Sequence, residues 1–367
     1  MTDNPLIGLA ELGQSVWYDN IHRDLLPDGL RALVGSDRLS GVTSNPSIFQ
    51  QAISGGSSYD TALAEWIAAG EREPETLYEH LAIADIRSAA DVLAPVYLET
   101  GGRDGFVSIE VAPQLAHDAA GTINEALRLN TAIGRDNVMI KVPATSAGIE
   151  AIAELTAQGL SVNATLLFSV ERYRAVAEAY LQGLQRRIEA GEPINHIASV
   201  ASLFISRIDA QIDAQLLERG CDELLGQAAI INARCAYRVY RELFHSGVGA
   251  ALERHGGQSQ RLLWASTGVK DKRYPPTYYV DALAAPETVT TLPPATYEAY
   301  RIEGVPKPRL LEDLEAAPRQ WEQLQAAGID TEAVLERLEQ QGIEAFVKAH
   351  QGLLQDLAAK VERIAAG

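Results

Sequence analysis

The run Val138-Met139-Ile140-Lys141-Val142-Pro143 places one lysine among residues that are otherwise apolar. A stretch this short and this rich in branched side chains reads as a strand buried on both faces. Desolvation disfavours the charged form of an amine held there. A neutral amine attacks a ketone and forms a Schiff base. The protonated imine then draws electrons from the neighbouring carbon–carbon bond. Such chemistry needs a carboxylate to deprotonate the hydroxyl beside the breaking bond, and a second acid–base group for the water lost from the carbinolamine. Asp19 and Glu110 are the candidates, one at the end of an apolar run and the other inside one. Asn45 and Asn163 offer donors and acceptors that can hold substrate hydroxyls. Arg207 and Lys270, with the hydroxyls of Ser202, Ser266 and Thr267, have the chemistry to grip a phosphate.

Taken singly, each residue has a plainer reading. Lys141 or Glu110 could be half of a buried ion pair or a stem reaching to water. Thr165 could be a strand filler, Asp19 a helix N-cap and Lys270 an ordinary surface cation. Together they form a pattern. Seven successive apolar runs each carry polar groups at or near one end. They are Asp19; Thr43, Ser44 and Asn45; Glu110; Lys141; Asn163 and Thr165; Ser199 and Ser202 with Arg207 beyond; and Ser266 with Lys270 beyond. Each buried polar group left unpaired would cost on the order of 1–3 kcal/mol, so one convergent network is the economical explanation.

The elements that must position these groups alternate along the chain. Eight short runs read as strands: 15–20, 41–45, 106–111, 138–143, 160–168, 197–204, 261–266 and 288–293. Helical patterns lie between them, with apolar spacing over 74–98 and 114–132. Ser169 reads as an N-cap for a helix over Arg172 to Arg186, and Ser206 begins another that ends near Gly220. Eight strands alternating with helices predict a (β/α)8 TIM barrel, in which strand C-termini share the face where active sites form. A doubly wound sheet is disfavoured. Its glycine fingerprint is best approached by 247–252, which lacks the third glycine and follows a helix. After residue 294 a Pro-rich crossing leads into 312–365, read as two or three amphipathic helices broken near Gly328 and Gly342, a lid or outer layer. One domain over 1–367 is expected, with a barrel core at 15–295 and a C-terminal helical extension at 296–367.

Composition narrows the partners. A formal charge of −18 argues against nucleic acid, so an anionic substrate must be held by a local cluster of cations. The seven histidines show no helix-borne ligand pair and there is no CxxC motif, so neither a metal nor an organic cofactor is expected. The two cysteines read as reduced thiols, and no stretch has the apolar length of a membrane span. The first residues lack the basic and apolar regions of a secretory signal, so a cytoplasmic protein is expected, and the Asn163-Ala164-Thr165 sequon carries no weight. A homo-oligomer is compatible with the sequence and not specified by it.

Several separate motifs resemble the transaldolase family. They are GVTSNPSIF at 41–49, VSIEV at 107–111, NVMIKVPAT at 137–145, LSVNATLLFSVERY at 160–173, ASVASLFISRID at 199–209 and LLWASTGVKD at 262–271. The resemblance covers roughly residues 15–295 in order and is strongest to the longer bacterial members. It implies a class I aldolase barrel that moves a dihydroxyacetone unit from sedoheptulose 7-phosphate to glyceraldehyde 3-phosphate, giving erythrose 4-phosphate and fructose 6-phosphate in the pentose phosphate pathway. By resemblance, Lys141 would be the Schiff-base lysine and Asp19 the base during bond cleavage. Glu110 and Thr165 would hold a catalytic water, Asn45 and Asn163 the dihydroxyacetone hydroxyls, and Ser202 and Arg207 the phosphate. Shorter members have Ser-x-Arg after the seventh strand. Here Thr267 and Gly268 follow Ser266, and Lys270 is expected to take the arginine's place. Two alternatives are a fructose-6-phosphate aldolase-like enzyme that releases free dihydroxyacetone, and a sugar-phosphate binding protein without catalysis.

Overall fold

All eight apolar runs are strands: β1 (Gln14–Tyr18), β2 (Gly41–Thr43), β3 (Phe106–Glu110), β4 (Val138–Pro143), β5 (Val162–Leu167), β6 (Ser199–Phe204), β7 (Gln260–Ala265) and β8 (Thr288–Leu292). The computed structural model describes residues 4–366. Its strands pair in parallel with their chain neighbours, and β8 closes on β1, making a complete (β/α)8 barrel with further helices after it. Every residue of β4, β5, β6 and β7 is buried, because barrel side chains fill one face and the helices cover the other. That double burial is why these segments read as unbroken apolar runs.

The surrounding helices begin where short polar side chains can cap them. Ser169 accepts from the Arg172 amide at the start of Val170–Glu189, and Asp118 does the same for Ala119–Ile133. The helix expected over 114–132 therefore starts later, after a 3-10 turn at Pro113–Leu115. Ser206–Arg219 ends on Gly220 in the left-handed conformation. The N-terminal end of the barrel is plugged by a satisfied polar cluster. Arg261 donates to Ser15 Oγ at 2.6 Å and to Asp104 Oδ1 at 3.0 Å, and Asp104 also accepts from Ser15 at 2.7 Å and from the Trp17 indole at 3.2 Å.

Beyond β8 the chain forms helices at Pro294–Glu303, Ala317–Ala326 and Thr331–Ala366. The break expected near Gly328 is present. The break expected near Gly342 is not: one helix of 36 residues, about 54 Å long at 1.5 Å per residue, runs through it. Gly342 serves close approach here and not termination. A Cβ on it would lie 3.0 Å from Leu166 Cδ2 at the barrel rim. The buried face continues on either side at helical spacing, through Leu335, Leu338, Phe346, His350, Leu353 and Leu357. This helix packs on β5, on the Pro46–Ser54 helix that follows β2, on the 3-10 turn after β3 and on the Ser206–Arg219 helix that follows β6. Those elements all lie at the C-terminal ends of strands, so the helix crosses the barrel mouth. No helix of the structure is long and apolar enough to cross a membrane.

Candidate active site

Parallel register brings the central groups together. Glu110 on β3 is paired with Lys141 on β4, and Lys141 with Asn163 on β5, so three neighbouring strands present these side chains at one level. Lys141 is only 5 % exposed. Its Nζ donates to the Ser44 carbonyl at 3.3 Å and stands 3.9 Å from Glu110 Oε2. The second distance is a loose ion pair, too long for a hydrogen bond. The Phe346 ring centroid lies 5.7 Å from the same nitrogen. Lys141 thus faces the mouth under the long C-terminal helix, and not the outer helices.

The two carboxylates differ in setting. Asp19 follows β1, where its amide donates to Leu292 O, and its Oδ1 accepts from the Thr43 hydroxyl at 2.8 Å. The residue keeps some open surface toward the mouth, yet its surroundings are dense and burial raises its carboxyl above the usual range, opposed by Lys141 and by the Thr43 bond. The Glu110 side chain is 3 % exposed. Burial pushes its carboxyl up to about 7; Lys141 pulls it down and the Asp19 charge adds to the rise. Neither Glu110 oxygen has a hydrogen-bond partner among the described residues, and neither does Thr165 Oγ1. A cavity of about 40 Å3 beside Glu110, lined also by Pro46, Tyr78 and His350, has room for a water.

The amides have structural partners as well. Asn163 is fully buried, donates to Ser108 Oγ at 3.1 Å and accepts from Ser202 Oγ at 2.7 Å. Asn45 caps the Pro46–Ser54 helix, its Oδ1 accepting from the Ile48 amide at 3.0 Å. The capping geometry considered for Asp19 thus belongs to Asn45, whose Nδ2 remains free of protein partners among the described residues. The turn between them is fixed by Ser44 Oγ, which donates to Ser108 O at 2.8 Å.

The groups read as phosphate ligands divide. Arg207, in the first turn of the helix after β6, is half-buried, has no carboxylate partner among the described residues and lies 5.4 Å from the Phe204 ring. Burial lowers its pKa from the ordinary value, so a dianion beside it would relieve an unfavourable environment. Ser266 stands with it: its Oγ is 3.2 Å from Ser206 Oγ, and its carbonyl accepts from the Ser206 amide at 3.1 Å. Ser266 adopts φ 55, a left-handed conformation that aims the loop after β7 toward that helix N-terminus. Lys270 is exposed on the same loop, its Nζ folded back to within 3.8 Å of where a Gly268 Cβ would stand. Ser202 is buried and donates its hydroxyl proton to Asn163 Oδ1 at 2.7 Å. Thr267 is also turned away, donating to Thr291 O at 2.7 Å.

Four contacts were not foreseen from the sequence, although Thr43 and Ser206 were themselves noted there. Ser206, read only as a helix start, is the hydroxyl neighbouring Ser266. Thr43 orients Asp19. Asp209 accepts from Tyr279 at 2.8 Å and from the Ala229 amide at 2.7 Å, tying the helix that carries Arg207 to its neighbours. Phe346 reaches Lys141 from about two hundred residues away. With a helix break expected near Gly342, four residues before it, the sequence left Phe346 unplaced. Among the described residues, no group of three or more His, Cys, Asp or Glu is placed to hold a metal ion. A cavity of about 1040 Å3 lies between outer helices beside Arg172, Cys235 and Trp321, and none of Lys141, Asp19 or Glu110 lines it.

The chain is similar to known proteins over nearly its whole length. Residues 16–357 match the family model described as transaldolase/fructose-6-phosphate aldolase. The chain is 42% identical to a transaldolase of Trichodesmium erythraeum over 99% of both chains. It is 44% identical to transaldolase 2 of Streptomyces coelicolor over 100% of this chain and 99% of that one. It is 45% identical to a transaldolase of Mycolicibacterium smegmatis over 96% of this chain and 97% of that one.

Proposed function

The chain belongs to the transaldolase/fructose-6-phosphate aldolase family, as an enzyme of the transaldolase kind, and we propose that Lys141 carries its reaction as a Schiff base. The observation that bears most weight is the setting of one amine. Lys141 Nζ is buried, faces the barrel mouth and lies 3.9 Å from a carboxylate whose pKa is pushed up to about 7. A group titrating there can both take and return a proton at neutral pH.

In the proposed sequence, Nζ adds to the ketone carbon of sedoheptulose 7-phosphate. Glu110 supplies the proton with which the carbinolamine oxygen leaves as water. Thr165 and Glu110, whose buried oxygens lack protein hydrogen-bond partners among the described residues, hold that water. Asp19 takes the proton of the hydroxyl on C4, two carbons from the imine carbon; that oxygen becomes the aldehyde of the leaving fragment as the C3–C4 bond breaks, and the electrons of the bond flow into the imine. Erythrose 4-phosphate leaves while three carbons stay on Lys141 as an enamine. Glyceraldehyde 3-phosphate then enters. The enamine carbon attacks its aldehyde, Asp19 returns the proton to the new hydroxyl, and hydrolysis of the imine frees fructose 6-phosphate. Asn163 and the free Nδ2 of Asn45 hold the dihydroxyacetone hydroxyls. Arg207, with Ser266 and Lys270 on the adjoining loop, receives the phosphate. A cytoplasmic setting suits this reading, and it is supported by the two free thiols Cys221 and Cys235.

Borohydride treatment in the presence of fructose 6-phosphate, followed by peptide mapping, tests the assignment. One modified peptide is expected, the one containing Lys141, and Lys141→Ala should trap nothing. Label on any other lysine refutes it.

A further inference from the structure

We propose that Phe346 is the residue that keeps water from protonating the enamine intermediate, and so favours transfer of the three-carbon unit over its release. The inference rests on the Schiff-base reading of Lys141 and adds a specificity determinant to it. Phe346 is 6 % exposed, and its ring lies 5.7 Å from Lys141 Nζ. An imine formed on that nitrogen carries positive charge, which an aromatic face attracts, and the ring has neither a donor nor an acceptor with which to organise a water.

The fold holds the ring there from both sides. Four residues before it, Gly342 brings the helix down onto the rim at Leu166, which has φ 59. The pairing of β5 with β6 slips between Ala164 and Leu167, and this irregularity turns Leu166 toward the helix. Before that contact, Arg172 pairs with Glu339 at 3.2 Å. Four residues after Phe346, the Gln114 amide lies 3.0 Å from His350 Nδ1. Farther along, Lys360 pairs with Asp60 at 2.6 Å and donates to the carbonyls of Ile53 and Gly56. These anchors belong to four separate parts of the barrel surround, so the ring is held over the amine by a spanning helix and not by a loop.

The two fates of the enamine differ in what reaches it. In transfer, its carbon forms a bond to the aldehyde carbon and the aldehyde oxygen takes up a proton. In release, the same carbon is protonated, water adds to the imine carbon, and the carbon–nitrogen bond breaks to give dihydroxyacetone and the free amine of Lys141. Both routes end in hydrolysis of an imine by the water assigned to Glu110 and Thr165; what sets release apart is protonation of the enamine carbon, and Phe346, which has no proton to give, occupies the place from which a further water would deliver one.

The experiment compares wild type, Phe346→Leu and Phe346→Ala with fructose 6-phosphate. Dihydroxyacetone released without an acceptor and sedoheptulose 7-phosphate formed with erythrose 4-phosphate are measured side by side, and borohydride trapping on Lys141 is followed in each protein. The ratio of release to transfer should rise about tenfold in Phe346→Ala and less in Phe346→Leu, which keeps most of the apolar volume. A fall of both rates with the ratio unchanged in both variants overturns the inference, because a merely structural residue would lower them together. A wild type that traps nothing on Lys141 overturns the Schiff-base reading and this inference with it, which separates the two failures.

Discussion

Replacing Glu110 by Gln is the most exacting test of the site's electrostatics. The carboxyl is raised from 4.5 to about 7, chiefly by burial, in a side chain 3 % exposed. Because the folded protein holds this proton more tightly than the unfolded chain, ionisation works against folding. The penalty is absent below about pH 4.5, grows as pH rises through the interval, and levels off above about 7. At 1.36 kcal/mol per unit it reaches about 3 kcal/mol. Glutamine imitates the protonated acid, so Glu110→Gln should match wild type at pH 4.5 and exceed it by about 3 kcal/mol at pH 8. For a chain of 367 residues that is ~4 °C in Tm. Activity should move the other way, with kcat reduced by about 10² to 10⁴ as the proton carrier is lost. The wild-type limb near pH 7 in kcat/KM should vanish with it. Thermal unfolding at the two pH values, with rates on the same samples, decides the matter. A stability difference that is equal at pH 4.5 and pH 8, or a variant less stable at pH 8, would show that Glu110 is an ordinary ionised carboxylate and would refute the reasoning.

Lys270→Ala should raise KM for glyceraldehyde 3-phosphate about tenfold while leaving kcat near wild type, since an exposed point charge contributes binding more than chemistry. An unchanged KM in steady-state assays would leave Arg207 as the sole cation at the phosphate. Arg261→Met should destabilise the protein by about 3–5 kcal/mol, because it leaves Asp104 buried without its ion pair. Denaturant melts would show the loss, while kcat per folded molecule should stay constant, because this cluster plugs the end of the barrel opposite Lys141.

Much of the candidate site was legible because a barrel strand is buried on both faces. In such a strand only a functional or paired polar residue survives, so Lys141, Glu110 and Asn163 stand out against Val, Ile and Met. The phosphate groups were less legible. Arg207 and Ser266 lie on one end of the barrel as expected, but whether a serine points outward or inward depends on a few degrees of backbone at the strand end. Ser202 turned in to Asn163 and Thr267 to β8, while Ser206, unmarked by type or spacing, meets Ser266. Asn45 shows the same limit, since one side chain both caps a helix and presents an amide to the mouth.

The order of strands, the closed barrel and the buried lysine at its centre follow from local pattern, because burial on two faces and helical periodicity act over a few residues and leave their mark in composition. The cover over that amine does not. Gly342 read as a helix break, since glycine is a poor helix former, and became instead the point where a continuous helix meets Leu166. Only the closing of the barrel creates the rim against which that helix packs, and only then does Phe346 come to lie over Lys141.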